Sequence, residues 1–183
     1  MPHTEGKRFK ADELLIIPMA TLVDVHSHLD HPLFSEDLDL VIERAKTAGV
    51  STIVTAGIDP ASNRKALALQ KKYPIVKASL GIYPPSVLLL EAKQYNLPLP
   101  KPFVLDEEIS FIRKQKNKTI LIGEIGLDLN LTKDLKEQQE VFFSMLSLAE
   151  QLKKAVVVHS RKAEQEVIDC LKSSKVKNVV MHC

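Results

Sequence analysis

Short apolar runs rich in β-branched residues recur along this chain, and longer stretches with helical periodicity lie between them. Because β-branched runs bounded by polar and turn-forming residues are typical of strands, the pattern predicts six strands. These cover residues 22–25, 51–54, 75–76, 120–122, 156–158 and 178–181. Apolar residues at helical spacing predict helices over 38–48 and 138–152. The alternation of strand and helix predicts a parallel sheet with right-handed crossovers.

Prolines crowd the segment between the third and fourth predicted strands. They are Pro84, Pro85, Pro98, Pro100 and Pro102. Since proline lacks the N–H that a helix interior or a central strand requires, we expect an enlarged loop here. A loop at this position follows the carboxyl end of a strand, where α/β folds bind ligands. It therefore either covers such a site or is a surface insertion.

The composition is that of a folded protein. Of 183 residues, 45% are hydrophobic and 26% are charged, and 25 basic against 23 acidic side chains leave a formal charge of +2. So small a net charge argues against a nucleic-acid binder that relies on a large basic field. No apolar run approaches the roughly 20 residues of a membrane-spanning helix, so no membrane association is expected.

The first residues carry no pattern of a folded element. Residues 1–18 have mixed charge and no clear periodicity, and they are predicted to form an N-terminal extension. The apolar piece at 14–17 is shorter than the roughly 7 to 15 residues of a signal-peptide core. Two cysteines, Cys170 and Cys183, are too few for a disulfide scaffold and are interpreted as reduced thiols. A cytoplasmic protein is therefore expected.

Two histidines mark the end of the first predicted strand, in Asp24-Val25-His26-Ser27-His28. Side chains two residues apart on a strand point the same way, so His26 and His28 can bind one ion. A His-x-His pair alone fits two polar loop residues equally well. Its position at the carboxyl end of a parallel strand favours a metal site. Asp24 shares the strand face of His26 and is expected to hydrogen bond to a ligand residue.

Three more candidate ligands follow later strands. Glu124 follows the fourth predicted strand after one glycine, and His159 and His182 come directly after the fifth and sixth. A parallel sheet brings these strand ends to one mouth, beside the two earlier histidines. A carboxylate after buried apolar residues needs a counter-charge, which a cation supplies. Four imidazoles and one carboxylate exceed the ligands of one tetrahedral zinc, which favours two ions about 3.5 to 4 Å apart with Glu124 bridging them.

Four ordered motifs resemble the TatD-type metal-dependent deoxyribonucleases of the amidohydrolase superfamily. The motifs are Asp24-Val25-His26-Ser27-His28-Leu29-Asp30, Gly123-Glu124-Ile125-Gly126-Leu127-Asp128, His159-Ser160-Arg161-Lys162-Ala163 and His182-Cys183. The resemblance covers the chain from about residue 21 onwards and implies an α/β fold, a TIM-type (β/α)8 barrel, over residues 19–183. It also implies two divalent ions, with His26 and His28 on one, His159 and His182 on the other, and Glu124 between them.

The resemblance further implies hydrolysis of phosphodiester bonds, with DNA as the substrate and zinc, magnesium or manganese as the ions. Two such ions lower the pKa of a shared water and polarise a phosphoryl oxygen. Beside Glu124, Arg161 is the candidate catalytic residue, because its planar fork suits phosphate oxygens; otherwise it forms a surface salt bridge. Asp128 either supports a ligand or is a loop residue. No obligate protein partner is expected.

Two features depart from the family pattern. Family members carry histidine in a Gly-x-His-Pro turn after the third strand, where this chain has Tyr83. Tyrosine is uncharged at neutral pH, so a phosphate contact there is expected to be weaker. The chain also stops one residue after His182. Only about six βα units are therefore expected, with unpaired outer strands and without the aspartate that the family carries after the eighth strand.

Two alternatives to a deoxyribonuclease remain open. The same barrel can act on another small substrate, such as an amide, a lactone or a base that is deaminated, since a fold does not fix a reaction. A truncated relative that lacks the last aspartate can instead be inactive.

Overall fold

Six parallel strands form one sheet, and their order in space follows their order along the chain. The structure, a computed structural model, describes residues 21–182, so the predicted extension over 1–18 and Cys183 lie outside the described residues. The strands are β1 (Leu22–Ser27), β2 (Val50–Ala56), β3 (Val76–Leu80), β4 (Thr119–Asp128), β5 (Val156–Arg161) and β6 (Val179–His182). The prediction of an α/β fold with about six βα units is confirmed.

Helices follow each of the first five strands. They are α1 (Leu38–Thr47), α2 (Pro60–Lys72), α3 (Pro85–Gln94), α4 (Leu105–Lys114), α5 (Leu135–Leu152) and α6 (Glu164–Lys172), with a short 3-10 turn at Pro32–Phe34. The helices α1 and α5 confirm the two that were predicted from periodicity. None of the described helices is long and apolar enough to cross a membrane.

The prediction of an enlarged loop between β3 and β4 is wrong, because this segment contains α3 and α4. Pro84 caps α3 and Pro85 begins it, at positions where the helix needs no N–H from the residue. Residues 95–104, between the two helices, hold the other three prolines and form neither helix nor strand. Proline therefore lies at the start of α3 and does not prevent this helix.

The main core lies between the sheet and α5. Its fully buried side chains include Phe142, Met145 and Leu146 of α5 and Ile122 and Ile125 of β4. Burial of a large apolar side chain stabilises a fold by about 1.5–3 kcal/mol. The buried aromatic and methionine positions of α5 are therefore packing residues, and they pack in one core with β4.

Apolar side chains stay exposed on the two outer strands of the sheet. Val23 and Val25 on β1 are 53% and 47% exposed, and Met181 on β6 is 44% exposed. Among residues 21–182, no strand pairs with the outer edge of β1 or of β6. The sheet does not close into a barrel within this part of the chain, which agrees with the number of strands predicted.

The strands β4 and β5 come very close together at Gly126. Its φ is +140°, a conformation that residues with a side chain rarely adopt, and a Cβ atom there would lie 2.1 Å from the carbonyl oxygen of His159. Only glycine fits this position.

We expect Gly126→Ala to lower the free energy of unfolding by about 3 kcal/mol or more, because the methyl group would displace the β5 main chain and strain φ. Urea denaturation followed by circular dichroism measures this change. The control is Glu140→Ala, at an exposed position of α5, which is expected to change stability by less than about 0.5 kcal/mol. Unchanged stability of Gly126→Ala would contradict this packing.

Candidate metal centre

Four imidazoles and one carboxylate meet at the carboxyl end of the sheet. His26 lies in β1, Glu124 in β4, His159 in β5 and His182 at the end of β6, while His28 directly follows β1. The structure thus brings together all five residues that the sequence singled out as metal ligands.

Glu124 is the centre of this cluster. Its Oε2 lies 3.4 Å from Nε2 of His26 and 3.0 Å from Nε2 of His28. Its Oε1 lies 3.1 Å from Nδ1 of His159 and 3.3 Å from Nε2 of His182. Each carboxylate oxygen therefore faces two imidazoles.

Glu124 lies inside β4, which corrects the predicted end of that strand at residue 122. The strand continues because residues 125–128 pair with residues 158–161 of β5. A register shift between Ile122 and Ile125 interrupts this pairing at Glu124, and such irregularities re-aim a side chain. The neighbouring main chain also comes close, since a Cβ atom at Gly81 would lie 2.3 Å from the carbonyl oxygen of Glu124. Glycine at position 81 makes room for this strand.

The Glu124 carboxyl is ionised in an almost solvent-free environment, with 6% of the residue exposed. Burial raises its pKa, but hydrogen bonds from the imidazoles, that of His159 first, outweigh burial and hold the pKa well below its ordinary value. Within residues 21–182 its ion-pair partners are histidines alone. A buried carboxylate needs positive charge beside it, so either imidazolium groups or bound cations must supply that charge.

The main chain orients His28 towards Glu124. Its Nδ1 lies 3.0 Å from the carbonyl oxygen of Ala56, and a carbonyl only accepts, so Nδ1 carries the hydrogen. In the neutral ring Nε2 then has a free lone pair, which faces Glu124 and, 3.2 Å away, Nε2 of His26. Burial lowers the pKa of His28, but the hydrogen bond and charge of Glu124 outweigh burial and raise it. A proton or a metal ion is needed among these atoms.

Three buried ring nitrogens have no hydrogen-bond partner among the described residues: Nδ1 of His26 and Nε2 of His159 and His182. The last of these lies 3.3 Å from Glu124 but without the alignment of a hydrogen bond. A buried polar atom left unpaired costs about 1–3 kcal/mol. Of these three atoms only Nε2 of His182 faces Glu124, since Glu124 faces Nε2 of His26 and Nδ1 of His159. Ring nitrogens left unpaired around a shared carboxylate fit a bound metal ion better than they fit a closed hydrogen-bond network.

The donors form two groups that share Glu124. One consists of His26, His28 and Glu124, and the other of Glu124, His159 and His182. In each group the possible ligand atoms lie within 4.8 Å of one another. Two imidazole nitrogens and one carboxylate oxygen are a common donor set for catalytic zinc. Each group can therefore hold one ion.

Asp128 links the cluster to Arg161. It is buried at the end of β4, and its Oδ2 lies 3.6 Å from Nε2 of His159 and 3.4 Å from Nη1 of Arg161. Its Oδ1 accepts hydrogen bonds from the main-chain N–H groups of Asn130 and Leu131. Of the two interpretations of Asp128, support of a ligand residue agrees with these contacts and a loop residue does not.

Gln138 on α5 fixes the main chain of Asp128. Its Oε1 accepts a hydrogen bond from the N–H of Asp128 at 2.7 Å, and its Nε2 donates to the carbonyl oxygen of Asp128 at 3.1 Å. Sequence reasoning missed this residue. The available signal was a polar side chain on the apolar face of a helix, because a buried polar group is nearly always hydrogen-bonded.

Arg161 stands at the end of β5 and lines the cleft beside the cluster. The side chain is 31% exposed, whereas its partner Asp128 is 1% exposed. Burial lowers the pKa of Arg161, but the surrounding acidic groups together, Asp128 first among them, outweigh burial and raise it. The ion pair therefore belongs to the site and is not a surface salt bridge.

Asp24 and Tyr83 each contact one histidine of the cluster. Asp24 is exposed, and its Oδ1 accepts a hydrogen bond of 3.0 Å from the main-chain N–H of His26, so it contacts the main chain of a ligand residue and not its ring. The buried ring of Tyr83 lies edge-on to His159, with the centroids 5.2 Å apart. Burial raises the pKa of Tyr83, so its hydroxyl stays neutral.

A cleft of about 1230 Å³ opens onto the cluster. Its walls include Tyr83, Arg161 and residues 97–103 of the linker between α3 and α4. The prolines of this linker therefore border the cleft, which fits the first of the two interpretations of that segment. Glu91 of α3, which sequence reasoning missed, also lines the cleft, and burial first and the charge of Glu124 second raise its pKa.

Parallel βα units with metal-type ligands at the carboxyl ends of the strands define a class of barrel-based, metal-dependent hydrolases. Within that class, the family model for TatD related DNase matches residues 23–183. The chain belongs to this family.

Relatives of known sequence and structure agree with this assignment. The chain is 37% identical over 161 residues to an uncharacterized metal-dependent hydrolase of Methanocaldococcus jannaschii, which covers 88% of this chain and 58% of the relative. It is 33% identical over 167 residues to deoxyribonuclease TATDN3 of Homo sapiens, with coverage of 88% and 60%. The crystal structure of YJJV, a TatD homolog from Escherichia coli, has a TM-score of 0.70 at 27% identity and covers 86% of this chain and 57% of that one. The chain spans about three fifths of the length of the curated relatives it matches.

We expect Asp128→Ala to lower the free energy of unfolding by about 2–4 kcal/mol, because it leaves Arg161 and two main-chain N–H groups without their acceptor. Asp128→Asn should cost less, since its amide oxygen still accepts from the main chain. Urea denaturation followed by circular dichroism measures both. Glu36→Ala removes an exposed carboxylate and should change stability by less than about 0.5 kcal/mol. An Asp128→Ala variant as stable as this control would show that the contacts of Asp128 do not matter.

Proposed function

We propose that this centre binds two divalent ions and hydrolyses phosphodiester bonds in DNA. The observation that carries the proposal is the buried carboxylate of Glu124, each oxygen of which faces its own pair of imidazoles. Membership of the TatD related DNase family and a relative named as a deoxyribonuclease support DNA as the substrate.

The two donor groups assign a ligand set to each ion. His26, His28 and Glu124 would hold one ion, and Glu124, His159 and His182 would hold the other. Imidazole-rich sets suit zinc better than magnesium, which prefers oxygen ligands. When bound, such ions supply a nucleophilic water at neutral pH and stabilise the charge that develops on the phosphoryl group.

The residues around the ligands position the substrate. Arg161 binds the phosphate: its ion pair with Asp128 restrains the guanidinium, and its planar fork fits two phosphate oxygens. Tyr83 offers a neutral hydroxyl as a hydrogen-bond donor on the cleft wall. Asp128 also lies beside His159, so one buried carboxylate positions both a metal ligand and the phosphate-binding arginine.

Glu124→Gln is expected to raise the dissociation constant for Zn²⁺ by at least about 100-fold, since it removes the charged ligand that both ions share. Metal content after loading and dialysis, measured by plasma mass spectrometry, reports the effect. Glu108→Gln is the matched control, because Glu108 is an equally buried carboxylate whose partners are Asn63 and Arg64. Two ions retained per chain by Glu124→Gln would overturn the proposal.

The reaction itself is tested on the metal-loaded chain with end-labelled DNA and with a panel of amides, lactones and bases that can be deaminated. We expect metal-dependent cleavage of DNA alone, stopped by a chelator. Arg161→Met should lower kcat/KM for DNA by about 10²–10³-fold, as loss of one charge-stabilising donor does. Turnover of another compound in place of DNA would favour a different amidohydrolase activity. A metal-loaded chain that turns over nothing would favour an inactive relative.

A further inference from the structure

Arg64 lines the same cleft as the metal centre, although within the described chain it has no hydrogen bond or ion pair to the five candidate ligands. It lies on α2, and its Nη1 donates to both carboxylate oxygens of Glu108, at 2.6 and 2.5 Å. The same nitrogen donates to the carbonyl oxygen of Pro60 at 2.9 Å. The guanidinium carbon lies 3.7 Å from the centroid of the Phe111 ring. These contacts hold the guanidinium group in one place.

The group behind Arg64 is closed to solvent. Glu108 is 3% exposed and accepts a third hydrogen bond, of 2.8 Å, from Nδ2 of Asn63. Asn63 is itself buried, and its side-chain amide both donates to and accepts from the main chain of Gly81. A rigid, buried network therefore supports the guanidinium from the protein side.

Two nitrogens of the Arg64 guanidinium keep hydrogen-bond donors for a ligand. The side chain is 46% exposed. In the part of the chain that the structure describes, every hydrogen bond of the Arg64 side chain is made by Nη1, so Nε and Nη2 make none. The planar guanidinium matches two oxygens of a phosphate, and an arginine that is already held in place loses less conformational freedom on binding.

The cleft is larger than one small ligand requires. Its volume is about 1230 Å³, whereas pockets for single small molecules are typically about 300–1,000 Å³. Two arginines with separate buried carboxylate partners line it: Arg161 with Asp128, and Arg64 with Glu108. A ligand with at least two phosphates can use both. Resting on the proposed function, we propose that Arg64 binds a second phosphate of the DNA substrate, one that is not cleaved.

The test measures binding to the full chain loaded with Mn²⁺, by fluorescence anisotropy. The probes are single-stranded phosphorothioate DNAs that resist cleavage: a dinucleotide with one linkage and an octanucleotide. The variant combines Arg64→Met with Glu108→Gln, so that no buried carboxylate is left without its partner. Arg113→Met is the matched control, because Arg113 on α4 is exposed, hydrogen bonds to Gln151 and does not line the cleft.

We expect the paired variant to bind the octanucleotide about tenfold more weakly, with a salt dependence reduced by about one charge, and to bind the dinucleotide within about twofold of the unmodified chain. The control should bind both probes normally. If the paired variant does not fold, Arg64→Lys is measured in its place, because lysine keeps the positive charge beside Glu108 but lacks the planar guanidinium. We then expect the affinity for the octanucleotide to fall about threefold and the affinity for the dinucleotide to stay unchanged.

Unchanged octanucleotide binding, or an equal loss for both probes, would overturn the role of Arg64 and leave the proposed function intact. An unmodified, metal-loaded chain that binds neither probe would instead overturn the proposed function, and the role of Arg64 with it.

Discussion

The buried, ionised carboxylate of Glu124 is the constraint on which the rest of this structure depends. Its pKa stays low only because four imidazoles surround it, and these come from β1, β5, β6 and the residue after β1. Strands that ran in alternating directions would place these side chains at opposite edges of the sheet. The close approaches at Gly81 and Gly126, which let the main chains pack beside Glu124 and His159, serve the same requirement.

Buried side-chain amides hold the strand ends next to this cluster. Gln138 pairs with both main-chain polar groups of Asp128, and Asn63 pairs in the same way with Gly81. Each amide is connected to an arginine at the cleft through a carboxylate. Gln138 contacts Asp128, which pairs with Arg161, and Asn63 contacts Glu108, which pairs with Arg64. Polar groups buried without water are costly unless fully paired, and full pairing makes the surroundings of the site rigid.

The candidate metal centre is complete in its five donors although the sheet is open. All of them lie in or beside β1, β4, β5 and β6, so six strands are enough to bring the donors together. The open edges of the sheet leave apolar side chains exposed. Val23, Val25 and Met181 lie on the outer strands, where a closed barrel would cover them. The chain matches about three fifths of the length of its relatives, and the matched part contains the donor cluster.

Local patterns were sufficient to locate the six strands, though not the end of β4, and to single out the five candidate ligands that the structure brings together. A run of β-branched residues predicts a strand from a few neighbouring positions. A polar candidate ligand is recognised because it follows such a run, as His159 follows residues 156–158. The same reasoning failed for α3, because proline is compatible with two local structures. It breaks the interior of a helix but is favoured in the first turn, so a loop was predicted where α3 begins. The partners of Asp128, Gln138, Arg64 and Glu108 were decided by tertiary packing alone. Glu108 and Arg64 are 44 residues apart in the chain. A contact between them depends on how α2 and α4 pack on the sheet, and a short-range sequence pattern carries no information on that packing.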